Sequence, residues 1–359
     1  EHILAVMIPK EKQNSEQCLE AKKSELKKLQ DFNTYEIVDD IGQNHITCTW
    51  VMTQKGNEAR ARLTARGFQE EEEIPSDSPT LQKANLRTVL AIAAAYEWTI
   101  TATDIKSAFL QGSEMTREVH VKPPKEAEMP GKLWKLNKCL YGLKDASRAW
   151  YEKVEKKLEA AGFKRSVYDA GLFFLLNKEG KLIGIVGLHV DDFISAGTIE
   201  FSQIILPKVL SIFQVGKSET NSFLYTGFQI NQGKKGITLD QAEYVARIEI
   251  PVLDAARLLD KESELEPKEL TVYRMMVGST NWVSRASRPD LCFDMVSLST
   301  KFKGGKVQDL KDARKVLTNI VQNDASIMLS NVGNLRSAEL WLYTDASFGN
   351  LNESVEASW

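Results

Sequence analysis

Two adjacent acids, Asp191 and Asp192, interrupt an otherwise apolar run, with Ile183-Gly184-Ile185-Val186-Gly187-Leu188-His189-Val190 before them and Phe193-Ile194 after. Such a run reads as a strand buried on both faces, followed by a return strand. Two carboxylates are thereby set at the tip of a buried hairpin, where an unpaired charge is costly. A cation beside them would offset that cost. Oxygen ligands with no histidine or cysteine cluster nearby suit a hard divalent ion, above all Mg²⁺, with Mn²⁺ as the alternative. A third acid, Asp104, stands near the end of the alternating segment Thr99-Ile100-Thr101-Ala102-Thr103-Asp104-Ile105. If the two strands are neighbours, the three acids converge. Two ions held between them would activate an attacking hydroxyl and stabilise the leaving oxygen of an in-line phosphoryl transfer. Side chains alternate along a strand, so Asp191 and Asp192 are expected to point apart. Asp191 is then the ligand partnered with Asp104, and Asp192 the supporting charge. A bare Asp-Asp also serves as a turn motif; the apolar strands on either side favour the metal site.

Around these acids the pattern alternates between strand and helix without a regular βαβ rhythm, which predicts an α+β fold with a mainly antiparallel sheet. Helical spacing marks 15–29 at the surface, 86–96 in a core, a short helix at 107–111, and an amphipathic helix over 146–161 stopped by Gly162. Strands are expected at 35–40 and 47–53, joined by the turn Asp39-Asp40-Ile41-Gly42-Gln43-Asn44, and at 133–136, 172–176 and 182–190. An extended basic segment covers 60–68. Farther on come a helix over 201–213, strands at 223–230 and 237–239, and a helix from Gln241. A charged linker (255–271), a mainly helical stretch (273–320) and a buried strand (340–346) complete the chain.

With 359 residues, 43% hydrophobic and 26% charged, the composition is that of an ordinary globular protein. The four cysteines, Cys18, Cys48, Cys139 and Cys292, form no CxxC pair, which argues against a zinc site or disulfide scaffold and for a reducing compartment. No apolar run reaches the roughly 20 residues that span a bilayer, so no membrane partner is expected. The formal net charge of −3 does not advertise nucleic-acid binding. Its distribution does: between Pro130 and Arg165 stand ten Lys or Arg against four acids, the footprint of a phosphate-tracking surface. Pairs such as Glu152–Lys156, spaced to meet on a helix, account for part of that cluster. The chain starts at Glu1 rather than Met and stops at Trp359 inside what reads as an unfinished element, so it is expected to be a segment of a longer polypeptide.

The words surrounding the acids carry a resemblance. Thr103-Asp104-Ile105-Lys106-Ser107-Ala108-Phe109-Leu110-Gln111-Gly112 resembles the first palm motif of copia-type LTR-retrotransposon reverse transcriptases. Leu140-Tyr141-Gly142-Leu143-Lys144-Asp145-Ala146-Ser147-Arg148-Ala149-Trp150 resembles their template-gripping motif, and His189-Val190-Asp191-Asp192 their aromatic-x-Asp-Asp box. Upstream, Trp50-Val51 and Arg62-Leu63-Thr64-Ala65-Arg66-Gly67-Phe68 are similar to the fingers strands, and Ser78-Pro79-Thr80 and Arg87 also fit. Downstream, Phe223-Leu224-Tyr225-Thr226-Gly227, Tyr273-Arg274 through Val277-Gly278, and Ser287-Arg288-Pro289-Asp290 resemble the palm end and connection. Tyr343-Thr344-Asp345-Ala346-Ser347 resembles the first strand of the RNase H domain. The series keeps the family order.

The resemblance implies a right-hand polymerase: an N-terminal extension (1–17), fingers and palm (18–245), thumb and connection (246–335), and the start of an RNase H-like domain (336–359). It implies RNA-directed DNA polymerisation with two Mg²⁺ ions on Asp104, Asp191 and Asp192. Arg62 and Arg66 would grip the triphosphate, or else be solvated surface charges. Phe109 would be the gate excluding a 2′-hydroxyl, or else a core ring. Tyr141 and Lys217 would also face the nucleotide, and Lys144 and Arg148 the nucleic acid. Partners would be an RNA or DNA template-primer, dNTPs, and other Pol and Gag parts, in a cytoplasmic virus-like particle whose product is destined for the nucleus. Asp345 alone cannot assemble an RNase H site, so no such activity is expected. His189 stands where Tyr is commoner, and Asp145-Ala146-Ser147 where Gln-Ala-Pro is. The alternative from another class is an inactive or domesticated fragment that binds nucleic acid.

Overall fold

The apolar run around Val186 forms the hairpin its pattern predicts. Leu182–His189 pairs antiparallel with Asp192–Gly197, in a register running from Gly184 opposite Gly197 to His189 opposite Asp192. This computed structural model describes residues 6–333, 335–337, 339 and 341. They divide into two compact units: residues 6–85 with Ala102–Ser218, and Leu86–Thr101 with the described residues from Glu219 onward. The hairpin lies in the first, within a six-stranded sheet. Its strand order is Val215–Thr220, Ile100–Ile105, Asp192–Gly197, Leu182–His189, Leu172–Leu176, Lys164–Arg165. The strand Ile100–Ile105 is thus the immediate neighbour of the strand that starts at Asp192.

Helix Ala146–Ala160 buries Trp150, Tyr151, Val154 and Leu158 in one cluster with Phe173, Val186 and Phe193 of the sheet. Fully burying side chains of this size stabilises by roughly 1.5–3 kcal/mol each. Gly162, at φ 91, ends that helix as the sequence signalled. A further helical segment, Phe201–Leu210, opens on a π-turn and seats the Phe201 ring over Gly184 and Gly197. A Cβ at either glycine would collide with that ring.

The strands before this hairpin in the same unit correct one expectation. Tyr35–Asp39 does not pair with the strand that follows it. It joins Lys132–Leu136, far along the chain, beside His120–Val121. The reason is burial: Trp134 is fully buried, with Tyr35 stacked 4.0 Å away, and no nearer strand offers Tyr35 such a face. Cys48–Lys55 and Glu58–Ala65 instead form their own hairpin, turning at Gly56 with φ 62, and Val6–Met7 adds to its edge. Helix Glu16–Asp31 lies on this hairpin, with Cys18 packed beside Met52 and Leu29 beside Leu63.

In the second unit, the stretch expected as one strand at 223–230 is two. Ser222–Tyr225 and Phe228–Gly233 are joined by Thr226-Gly227, both at positive φ (47 and 86), the backbone of a tight hairpin turn. Gly236–Asp240 and Ser326–Ser330 complete an antiparallel four-stranded sheet. Helices Pro267–Ser284, Cys292–Ser299 and Val307–Gln322 share a core around Tyr273, Met295 and Leu317. The expected linker ends early, because Pro267 opens a helix whose first turn is closed by the Glu269 carboxylate accepting from the Glu266 amide at 2.8 Å. The helix expected from Gln241 is a single turn, Ala242–Val245. The strand expected at 340–346, and Asp345 with it, lies outside the described residues. No helix among the described residues is long and apolar enough to cross a membrane.

Candidate active site

Asp191 is not part of a strand. Val190 and Asp191 form the two-residue turn of the hairpin, and Asp192 begins the return strand. The expectation that strand alternation separates the two acids is corrected accordingly: the turn does it. Val190 has φ 57, a conformation that a β-branched residue adopts at a cost of about 1–3 kcal/mol. Two hydrogen bonds hold it there. The Trp150 indole donates to the Val190 carbonyl at 2.7 Å, and the Ile105 amide donates to the Asp191 carbonyl at 2.9 Å. The second bond joins the turn directly to the strand that carries Asp104.

The three carboxyls feel one another. Burial, then Asp191, raises Asp104 above the usual carboxylate range, with Lys106 opposing. Asp192 is pushed up to about 6 by burial, by Asp191 and by Asp104. The His189 ring is held below its ordinary value by burial, against the pull of Asp191; neutral imidazole therefore predominates at neutral pH.

Around Asp104 the neighbouring chain is stapled through Gln111. Its amide donates to the Lys106 carbonyl at 2.6 Å and accepts from the Gln214 amide at 2.9 Å, while the Lys106 amide donates to the Gln214 carbonyl at 3.0 Å. On the adjoining strand, Gly216 leaves the space that the Asp104 carboxylate occupies; a Cβ there would strike Oδ2. We expect Gly216→Ala to displace that carboxylate and lower kcat about tenfold or more. Overpacking costs roughly 1–3 kcal/mol, so its melting temperature should fall only modestly. Unchanged turnover in a steady-state assay would refute this placement.

Among the described residues, no group of three His, Cys, Asp or Glu side chains is arranged to hold a metal ion. That does not disqualify the acids. Mg²⁺ is commonly held by one or two carboxylates, with waters and substrate phosphates completing its shell. The donor set here is two or three mutually repelling carboxylates, which a divalent ion relieves. Asp104 and Asp191 fit such an ion as partial ligands, with substrate oxygens supplying the rest.

The structure brings several of the other candidate residues to one place. The Arg62 guanidinium lies over the Tyr141 ring, 4.5 Å from its centroid, and the Phe109 ring stands 5.4 Å from the Tyr141 ring. Burial raises the Tyr141 phenol above its ordinary value, while a hydrogen bond with Ser107 and the charge of Arg62 oppose the shift; Asp191 is near enough to contribute. Arg62, Tyr141 and Ser107 line a cavity of about 560 Å³ together with Lys28 and Arg60. Arg66 is elsewhere. Past the end of its strand, it is exposed, and its charge acts on the Cys48 thiol. Lys144 donates to the Glu70 and Glu72 carbonyls at 2.6 and 3.1 Å, and Arg148 pairs with Asp77 at 2.5 Å and Glu152 at 2.9 Å. Lys217 is exposed on the strand beside that of Asp104. Sequence reasoning missed Trp150, Gln111 and Gly216 as positioning groups. Trp150 and Gln111 lay within quoted motifs; Gly216 carries no signal apart from the fold.

A family model, reverse transcriptase (RNA-dependent DNA polymerase), matches residues 32–267. The chain belongs to that family. Among curated proteins, it is 29% identical over 332 residues to the retrovirus-related Pol polyprotein from transposon RE1 of Arabidopsis thaliana, covering 85% of this chain and 22% of that protein. It is 32% identical over 194 residues to the corresponding polyprotein from transposon TNT 1-94 of Nicotiana tabacum, covering 50% of this chain and 14% of that one. The copia-type resemblance therefore holds, and the chain spans about a fifth or less of these relatives. A solved structure of a foamy viral protease-reverse transcriptase in complex with double-stranded DNA superposes with a TM-score of 0.53 at 14% identity, covering 87% of this chain and 49% of that one. The likeness is one of fold: an α+β polymerase.

Proposed function

We propose that this chain is the polymerase part of a retrotransposon Pol polyprotein and copies RNA into DNA by metal-assisted nucleotidyl transfer. The observation that carries the reading is the pinned turn that sets Asp191 and Asp192 beside the strand of Asp104, near enough for their charges to act on one another, in a chain of this family. Asp104 and Asp191 would hold divalent ions, with Asp192 adding charge. Such ions, when bound, activate the primer 3′-hydroxyl and stabilise the departing pyrophosphate. Arg62, seated on Tyr141, would pair with triphosphate oxygens by its guanidinium fork. Phe109, half-buried beside Tyr141, would pack under the sugar. The basic helix Ala146–Ala160 and its flanks would track the template-primer backbone, whose binding should weaken with salt. Other Pol and Gag parts of the element, assembled in a cytoplasmic particle, would be its partners.

The test is primer extension on poly(rA)·oligo(dT) with dTTP. Incorporation should require Mg²⁺ or Mn²⁺, stop on chelation with EDTA, and return when the ion is restored. A folded chain that binds the template-primer but adds no nucleotide with either ion would sink this reading in favour of a nucleic-acid-binding relic.

A further inference from the structure

We propose that Arg117 is a positioning residue for the incoming nucleotide, acting by tying the loop after the strand Glu58–Ala65 to the segment that carries Tyr141. The inference rests on the polymerase reading above. Its basis is a compact charge cluster that the proposed chemistry does not use. Arg117 Nη2 donates to Glu70 Oε1 at 2.6 Å and to Asp145 Oδ1 at 2.8 Å, while its Nε donates to Asp145 Oδ2 at 2.8 Å. The second Glu70 oxygen accepts from the Lys144 amide at 3.0 Å, and the Lys144 ammonium donates to the Glu70 carbonyl at 2.6 Å. The Glu70 side chain is only 5% exposed, and those of Arg117 and Asp145 about a fifth. Two carboxylates, one guanidinium and the Lys144 backbone amide thus satisfy one another where water is largely excluded, and removing Arg117 leaves buried negative charge uncompensated.

The backbones on either side of this cluster touch. The Ala65 amide donates to the Tyr141 carbonyl at 2.7 Å, a Cβ on Gly67 would strike the Gly142 carbonyl, and one on Gly142 would strike Ala65 and Thr64. Gly142, at φ 88, could not take a side chain comfortably in any case. Two glycine-lined segments in such contact have little of their own to hold them together, and the bidentate Arg117–Asp145 pair supplies the fastening. Tyr141 is the platform under Arg62. Loosening the fastening should therefore weaken the grip on triphosphate and leave Asp104, Asp191 and Asp192, held by Trp150, Ile105 and Gly216, in place. Asp145, where the resembling family more often has Gln, is accounted for by the same pairing.

The experiment is steady-state dTTP incorporation on poly(rA)·oligo(dT) by the parent, Arg117→Met, Arg117→Lys, Asp145→Asn and the Arg117→Met/Asp145→Asn double variant. It is paired with hydrogen exchange of the Ala65 and Lys144 amides. Arg117→Met should raise KM for dTTP tenfold or more with kcat within threefold. Arg117→Lys should fall between parent and Met, and the double variant should be no worse than the worse single. Exchange at both amides should speed up in Arg117→Met. An unchanged KM, or a fall in kcat and melting temperature with KM unmoved, overturns the inference while leaving the polymerase intact. If the parent itself incorporates nothing, the polymerase reading fails, and unchanged exchange at Ala65 and Lys144 would then overturn the fastening as well.

Discussion

Asp191→Asn should abolish nucleotide addition, by on the order of 10³-fold or more in kcat, and should at the same time raise the melting temperature of the metal-free protein. Both effects come from the same geometry. Asp191 sits at the turn and its carbonyl accepts from the Ile105 amide, next to Asp104, and its charge raises the proton affinity of both other acids. Removing its charge removes a partial ligand and the source of repulsion together. Loss on that scale corresponds to about 4 kcal/mol of transition-state stabilisation at 1.36 kcal/mol per tenfold. A variant that is less stable in EDTA than the parent, or one that keeps a tenth of the activity, would show that Asp191 does not hold this position.

The pH dependence follows with a definite sign. Asp192 is pushed from 3.8 in its ordinary state up to about 6, so the folded metal-free protein binds a proton more tightly than the unfolded chain. The resulting stability is fully present below pH 3.8 and is lost as pH rises through about 6. Asp192→Asn lacks this term. Urea unfolding of parent and variant in EDTA should therefore show the parent losing stability relative to the variant between those limits, and parallel curves would contradict the assignment.

Phe109→Ala should let ribonucleotides in, improving rUTP over dTTP incorporation by roughly 10- to 100-fold, since rejection of a hydroxyl by a wall depends on the wall being there. The ring follows Asp104 on a short 3-10 turn (Ala108–Gln111) entered through Ser107 at φ 51. It is half-buried rather than engulfed, with Tyr141 5.4 Å away. The opposing role is core packing, because Phe109 touches the clusters around both Trp150 and Trp134. The two roles separate in one measurement: a packing residue lowers the melting temperature and leaves the sugar ratio alone, whereas a gate moves the ratio.

The sequence disclosed the acid-bearing hairpin because its signal is local. A doubly buried strand leaves an unbroken apolar run, and acids inside it stand out. The helix over 146–160 was legible for the same reason, in its period and its terminal glycine. Distant pairings were not. Nothing near Tyr35 announces that Trp134 will cover it, and nothing near Asp104 announces that residue 216 must lack a side chain. Thr226-Gly227 was missed because the apolar residues on both sides outweighed a turn of only two residues. Arg117 was invisible as a functional group, although half of its account, the unusual acid at 145, was already apparent. Charges that fasten one loop to another leave no periodicity, and only coordinates assign their partners.

The slot that Gly184 and Gly197 open for the Phe201 ring has a bearing on the chemistry at the far end of the hairpin. Antiparallel strands can in principle slide past one another, and a slip of one residue turns every side chain to the opposite face. Here the two glycines stand directly across from each other, so only one alignment presents a gap wide enough for an aromatic ring. Phe201 therefore works as a key cut for a single lock position. With that alignment fixed, the connecting turn can comprise only Val190 and Asp191, and the carboxylate is delivered to the tip by counting along the strand. In the proposed reaction, the reach of the attacking and leaving groups would be gauged from a ring that lies several residues away and takes no part in it.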